Sequence, residues 1–200
     1  MTIADLLVLF KERLGKFQCS VVDDVLTPDD VTYTKFNSGN QNWVDLPEPE
    51  IRVIASGVET YIFPTEYVVD SAAGSITFNT ARTSTDVVKG SYSIKPFTDD
   101  QLTSMLSQST REIQVLTFHN INFADISPNY SEAIIKKALT MALRTIQIPS
   151  TKYFSISISG RTMDKSQQVT QIEALITSNE KELLMDINAI RYFDKTNVLR

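Results

Sequence analysis

Apolar positions open the chain at helical spacing. Ile3, Leu6, Leu7, Phe10 and Leu14 line one face, Thr2 stands where a cap belongs, and Gly15 stands where a left-handed terminator belongs. The pattern predicts an amphipathic helix of about four turns. Its stripe is wide enough to need a partner, either the later helices of the same chain or a neighbouring subunit. After residue 16 the period changes to two. Short β-branched and aromatic runs cover Gln18–Val25, Val31–Phe36, Asn42–Leu46, Ile51–Ala55 and Val58–Phe63, separated by Thr-Pro-Asp-Asp, Asn-Ser-Gly-Asn, Pro-Glu-Pro-Glu and Ser-Gly. Tyr67 and Val69 alternate with polar neighbours, Ser71 to Gly74 supplies a turn, and Ile76 and Phe78 resume the alternation, which makes a hairpin. Val88, Tyr92 and Ile94 keep the period until Pro96, which cannot donate to a ladder, ends it. Seven or eight strands of this length predict a small sandwich or barrel.

The pattern then turns helical across about three residues, too short a join for a flexible linker, so the two halves are expected to be rigidly connected. Thr98 with Gln101 forms a capping box, and Asp99 and Asp100 favour the positive end of the helix dipole. Leu102, Met105, Leu106, Ile113 and Leu116 mark one face to about Phe118. An irregular connector around His119 closes at Ser127-Pro128-Asn129. Ile134, Ile135, Ala138, Leu139, Ala142, Leu143 and Ile146 predict a central helix that stops at Ile148 before Pro149. Tyr153 to Ser159 alternates again and reads as a strand arm ending at Gly160. Its partner is either a neighbouring subunit's sheet, through Ser155, Ile156, Ser157 and Ile158, or an intrachain hairpin with residues near Arg161 to Met163. Asp164 with Gln167 is expected to cap a last helix striped by Ile172, Leu175, Ile176, Leu183, Ile187 and Ile190, with Asn179 and Glu180 interrupting it. Tyr192, Phe193, Val198 and Leu199 follow as anchors without a period, a tail expected to lie outside the bundle. The fold class is therefore α+β: an N-terminal helix (1–16), a small sandwich-like β domain (17–97) and a C-terminal helical bundle with a strand arm (98–200).

The 200 residues are 42% hydrophobic, enough for a substantial core. The net charge of −5 is uneven: residues 1–97 hold 13 acidic against 8 basic side chains, and residues 98–200 hold 11 of each. No basic cluster points to direct nucleic-acid binding. Cys19 is alone, which excludes an intrachain disulfide and a cysteine-based zinc site. The first residues lack the charged and apolar regions of a leader, and no apolar run approaches the roughly 20 residues that cross a bilayer, so no membrane role is expected. The acid pairs Asp23–Asp24, Asp29–Asp30 and Asp99–Asp100 match no calcium loop and suit turns and caps. His119 is the sole histidine and has no nucleophile motif beside it. The chain also lacks a phosphate loop, a nucleophile elbow and a His-x-x-x-His pair. No catalytic, metal or cofactor residue is assigned, and no enzyme activity is expected.

The block YFSISISGRTMDKSQQ, between an Ala- and Leu-rich helix and a long helix, resembles the C-terminal part of head-to-tail connector (adaptor, neck) proteins of tailed bacteriophages. The YVVDSAAGSITF hairpin and the GSYSI strand are similar to the small β domain of phage neck and tail proteins. The resemblance covers most of residues 60–195, although the plainest members of that family are nearly all helical and lack a large β domain. It implies a structural virion protein, assembled in the host cytoplasm, that forms a dodecameric ring joining the portal vertex to the tail. Its implied partners are further copies, the portal protein, and a tail or second neck protein, with DNA passing through without sequence-specific binding. By the same resemblance the C-terminal segment docks on the portal, which makes Tyr192, Phe193, Val198 and Leu199 the candidate contact. A competing reading is an adhesion module that grips a glycan or host surface through Trp43, Tyr61 and Tyr67.

Overall fold

The structure, a computed structural model, describes residues 1–15, 17–45, 47–147, 155–158 and 161–197, the side chains of residues 161 and 193–197 excepted. The chain divides into two compact units. A helical unit takes Met1–Lys16, Phe97–Thr151 and Ile158–Arg200, and a sheet unit takes Phe17–Pro96 with Lys152–Ser157. The class is α+β, as the pattern predicts. The segments 1–16, 17–97 and 98–200 read from the sequence differ from this division mainly in that a short segment from late in the chain clusters with the sheet.

The sheet unit is a curled antiparallel sheet, where the pattern predicts a small sandwich or barrel. Its strands are β1 (Gln18–Pro28), β2 (Lys35–Asn37), β3 (Glu50–Ala55), β4 (Val58–Ile62), β5 (Tyr67–Asp70), β6 (Ser75–Phe78), β7 (Val87–Ile94) and β8 (Ser155–Ile158), with main order β4-β3-β7-β1-β2-β6-β5. The curl follows from β1. One of its edges pairs with β7 from Cys19↔Ile94 to Leu26↔Val88, while the other is shared between β8 at Gln18–Ser20 and β2 at Thr27–Pro28. The register with β7 shifts between Val21 and Asp24, and Asp23 has φ 56°, so β1 carries a bulge that bends the strand between its partners. The inner face buries Cys19, Leu26, Phe36, Ile51, Ile76, Phe78 and Ile156.

The predicted Val31–Phe36 strand shrinks to β2 because Asp30 folds the chain first. Its carboxylate accepts from the hydroxyls of Thr32 and Thr34 and from the Thr34 amide, which holds its pKa down at about 2, and Tyr33 turns to φ 53°. The Asn42–Leu46 run is likewise no strand: Trp43 makes a single bridge to Ile94, and Leu46 lies outside the described residues. That segment is pinned on the turn of the β5–β6 hairpin. Ser38 N–H donates to Gly74 O at 2.9 Å, Trp43 N–H to Ser71 O at 2.8 Å, and Trp43 Nε1 to Asn40 O at 2.9 Å. Gly74 has φ 68°, and a β-carbon there would sit 1.9 Å from Asn40 O, so only glycine fits. Trp43 stacks on Tyr92 with centroids 3.9 Å apart. The Tyr92 hydroxyl donates to the Asp24 carboxylate, leaving its oxygen to accept from Ser38 and, at 3.0 Å, from Asn40 Nδ2.

In the helical unit α1 (Ile3–Leu14) is closed by the Thr2–Asp5 capping box and by Gly15. It buries Leu6, Phe10 and Leu14 against α2 (Asp99–Thr117) and α3 (Pro128–Gln147), the intrachain answer to its apolar stripe. Lys11–Asp99 and Arg13–Glu132 ion pairs border it. α2 starts on the Thr98–Gln101 capping box, and α3 starts with proline in the first turn, where a missing N–H costs nothing. The stop at Ile148–Pro149 falls outside the described residues, as do Tyr153, Phe154, Ser159 and Gly160.

The last helix, α4 (Gln168–Asn197), corrects three expectations. Asp164 does not cap it: Asp164 ends β9 (Arg161–Asp164), and its carbonyl accepts from Gln167 N–H at 2.8 Å in a turn that precedes the helix. Asn179 and Glu180 do not interrupt it. Asn179 faces α3 and donates to Lys136 O at 2.7 Å and to the Thr140 hydroxyl at 2.9 Å, while Glu180 pairs with Arg144. A polar residue inside a buried seam is tolerated because its amide finds acceptors there. Beside it the Lys136 ammonium meets Asp186 at 2.9 Å, Glu182 at 3.3 Å and Glu132 at 3.8 Å. Lastly, the helix runs through Tyr192 and Phe193 to Asn197, so these two anchors lie on a helix and not in an irregular tail; Val198 and Leu199 lie outside the described residues.

Of the two partners open to Ser155–Ile158, the structure shows pairing within the chain, to β1 and to β9. Cys19 and Ile156 stand directly opposite and are both fully buried. Opposed residues on antiparallel strands are about 4.5–5.5 Å apart at Cα, within the disulfide range. Ile156→Cys refolded under oxidising conditions is therefore expected to form one disulfide inside each chain and run as a single-chain band on a non-reducing gel. A ladder of cross-linked chains would show that the strand is exchanged between copies.

Burial first, and the Asp24 bond second, raise the Tyr92 pKa above its ordinary value; burial and then Tyr61, Glu48 and Glu50 raise that of Tyr67 to about 12. A group whose pKa is higher folded than unfolded stabilises the fold fully below about pH 10, the unfolded value, and stops doing so as pH climbs through the folded value. Alkaline titration by circular dichroism is expected to show stability falling from about pH 10 upward, and Tyr67→Phe is expected to flatten that slope.

Candidate interaction surfaces

Three surfaces stand out once the core is accounted for. The first is the end of α2. Phe118 terminates the helix at φ 61°, the left-handed conformation that glycine takes at little cost. A non-glycine residue there is strained by about 1–2 kcal/mol. Phe118 is nevertheless 86% exposed, Val115 one turn earlier is 71% exposed, and an open cleft of about 420 Å³ lies between Gln114, Val115, Phe118, His119 and Asn120. α4 completes the patch: Arg191 donates from Nε to Leu116 O at 2.8 Å, also reaches that carbonyl through Nη2, and lays its guanidinium 5.4 Å from the Phe118 ring centre. Arg191 thus satisfies a helix-end carbonyl while stacking on the exposed ring. Tyr192, the next residue, is 69% exposed, and Met185 lies two turns earlier on the same face of α4, also exposed.

The second surface is a hollow of about 350 Å³ in the sheet unit, lined by Asp45, Glu48, Pro49, Pro64, Tyr67, Val68, Val69 and Ser71. Its polar groups are engaged with one another: the Tyr67 hydroxyl donates to Pro49 O at 2.8 Å and the Ser71 hydroxyl to Asp45 at 2.7 Å. The third is β4, at one end of the strand order, where Val58, Glu59, Thr60 and Tyr61 are all exposed and Tyr61 meets Phe63 edge to face.

The residues singled out from sequence separate accordingly. Trp43 and Tyr67 are core aromatics, and of the adhesion trio only Tyr61 is exposed. Ser155 to Ser157 face Ser20 to Gln18 in the sheet. Among the portal-contact residues Tyr192 is exposed, one position after the Arg191 that stacks on Phe118. The acid pairs serve bonds and turns: Asp23 pairs with Arg52 at 3.2 Å, Asp29 with Lys35 at 3.0 Å, Asp24 holds Tyr92 and Asp30 builds its turn. Among the described residues no three acidic, histidine or cysteine side chains converge on a possible metal site, and no helix is long and apolar enough to cross a membrane. Burial pushes the Cys19 thiol up to about 12. Phe118 escaped the sequence reading as a surface residue. Its signal was an aromatic, with no glycine following, at the position where a helix stops.

No protein-family model and no curated protein matches the chain.

Phe118 is strained and exposed at once, so stability and surface chemistry should separate on substitution. Phe118→Gly is expected to raise the unfolding free energy or leave it unchanged, with relief of up to about 1 kcal/mol partly offset by loss of the Arg191 contact. Denaturant titration measures this; a loss of more than about 2 kcal/mol would show that the ring supports the fold.

Proposed function

We propose that this chain is a structural virion protein that forms a ring at the neck of a tailed bacteriophage, between the portal vertex and the tail. The observation that carries the reading is the apolar surface at the end of α2, where Val115 and Phe118 are exposed and Arg191, the residue before the exposed Tyr192 on α4, lies over the Phe118 ring. Large apolar side chains left in water each forgo about 1.5–3 kcal/mol of burial, and a strained aromatic among them favours a surface kept for a partner over one kept for stability. The resemblance of residues 153–168 and 67–78 to connector proteins names the setting. In that setting the α4 end meets the portal, the ring repeats the contact in every copy, and many modest contacts act together as avidity. The ring is a dodecamer built in the host cytoplasm, DNA passes through it, and a tail or second neck protein closes its other face. The adhesion reading is disfavoured, since Trp43 and Tyr67 are enclosed and, of the three, Tyr61 alone is exposed to stack on a ligand.

The test is to delete residues 192–200, which keeps Arg191 on its α2 carbonyl, and to measure folding, self-assembly and portal binding separately. Folding is expected to survive and occupancy on purified portals to be lost. Truncated chains that decorate portals at normal occupancy would overturn the assignment of this surface, and a chain that neither forms rings nor binds portals would overturn the neck reading.

A further inference from the structure

Strand β4 offers a second interface of a different kind. It forms with β3 a hairpin whose two-residue turn, Ser56-Gly57, has φ 50° and 81°, the all-positive geometry that matches strand twist. Ala55 and Val58, opposed across this turn, exchange backbone hydrogen bonds, so by alternation Thr60 and Ile62 also bond inward to Val53 and Ile51. Glu59 and Tyr61 are left with N–H and C=O pointing away from β3. Among the described residues β4 pairs with β3 alone.

Exposed edges are normally guarded by proline, lysine, an inward charge or a bulge. Val58–Ile62 contains none of these. Its one charge, Glu59, is drawn to Arg52 on β3 at 3.4 Å, and the Arg52 guanidinium also meets Glu50 and Asp23. The edge alternates apolar and polar side chains, and its one charge is held back toward β3.

We propose that β4 is the docking edge for β4 of a second copy, the two strands running antiparallel about a two-fold axis at Thr60. The sequence of the strand argues for its own copy as the occupant. With Thr60 opposite Thr60, Glu59 falls opposite Tyr61 and Val58 opposite Ile62 on both sides of the axis. This register joins the outward groups of Glu59 to those of Tyr61 in the second strand, and the reverse, so every unpaired backbone group of the two strands is satisfied. No carboxylate faces a carboxylate, the exposed Val58 meets a β-branched partner, and threonine sits opposite threonine, a favourable cross-strand pair. Shifting the register by one residue would turn Val58 and Tyr61 to the wrong faces. The contact is isologous and closes at two copies. It lies in the sheet unit and, being isologous, is distinct from the head-to-tail contact that a ring requires.

The axis makes the test specific. Thr60 is exposed, so Thr60→Lys and Thr60→Glu leave the hairpin bonded, which thermal melts check. Each places like charges directly opposite across the axis, whereas a mixture places opposite charges there. In sedimentation of the full chain, the wild type is expected to associate with rising concentration, each variant alone to dissociate several-fold more readily, and the equimolar mixture to regain wild-type association. Amide exchange at Glu59 and Tyr61 is expected to slow with wild-type concentration, a readout that needs no variant. Association unchanged in both variants would place the contact elsewhere and overturn the proposal. So would a mixture no better than its components, or exchange at the two amides that ignores concentration.

Discussion

The sheet unit depends on one strand having two partners on the same edge. β1 is paired along its length with β7, but its opposite edge is divided between β8 at one end and β2 at the other. A flat strand could not serve partners that leave in different directions; the bulge at Asp23 supplies the bend and leaves room for Asp24 to take the Tyr92 hydroxyl. From Tyr92 the constraint passes outward through Ser38, Asn40 and the stacked Trp43 to the turn at Gly74. The network ties residues 38–43, which have little regular structure, to a hairpin that is otherwise an end of the sheet. A buried polar chain of this sort specifies a unique arrangement because each member, once enclosed, is costly to leave unmade.

The helical unit solves a different problem. Its seams are apolar, yet polar contacts cross between α3 and α4: Asn179 on the α3 backbone and Lys136 among three carboxylates. These fix the register of a long helix that apolar stripes alone would let slide. Against this economy stands Phe118, held in an unfavourable backbone conformation with its ring in water. Its return is local, a closed helix end and the Arg191 stack, while most of the ring is left to solvent.

Periodicity revealed most of the architecture, since the stripe of α1, the capping box of α2 and the hairpin of β5 and β6 are written in neighbouring residues. What stayed hidden depends on residues far apart. Asp30 shortens β2 through hydroxyls that the apolar count ignores, and Asn179 reads as a helix breaker unless the Lys136 carbonyl is known to face it. Tyr192 and Phe193 stand out as adjacent aromatics, but their adjacency hid that α4 continues through them. The surface at Phe118 needed both the backbone angle and the approach of Arg191, and neither is visible in a string of letters.

The pairing of β8 with β1 has a further consequence for how the chain comes into being. The two strands are separated by more than a hundred residues, so the first edge of the sheet is laid down long before its complement exists. At a synthesis rate of about 5–20 residues per second, the Gln18–Ser20 edge waits on the order of ten seconds after leaving the ribosome. During that interval Cys19, fully buried in the finished protein, has no Ile156 beside it. During synthesis this edge cannot close before β8 emerges, and its closure carries the entropic cost of a loop of more than a hundred residues.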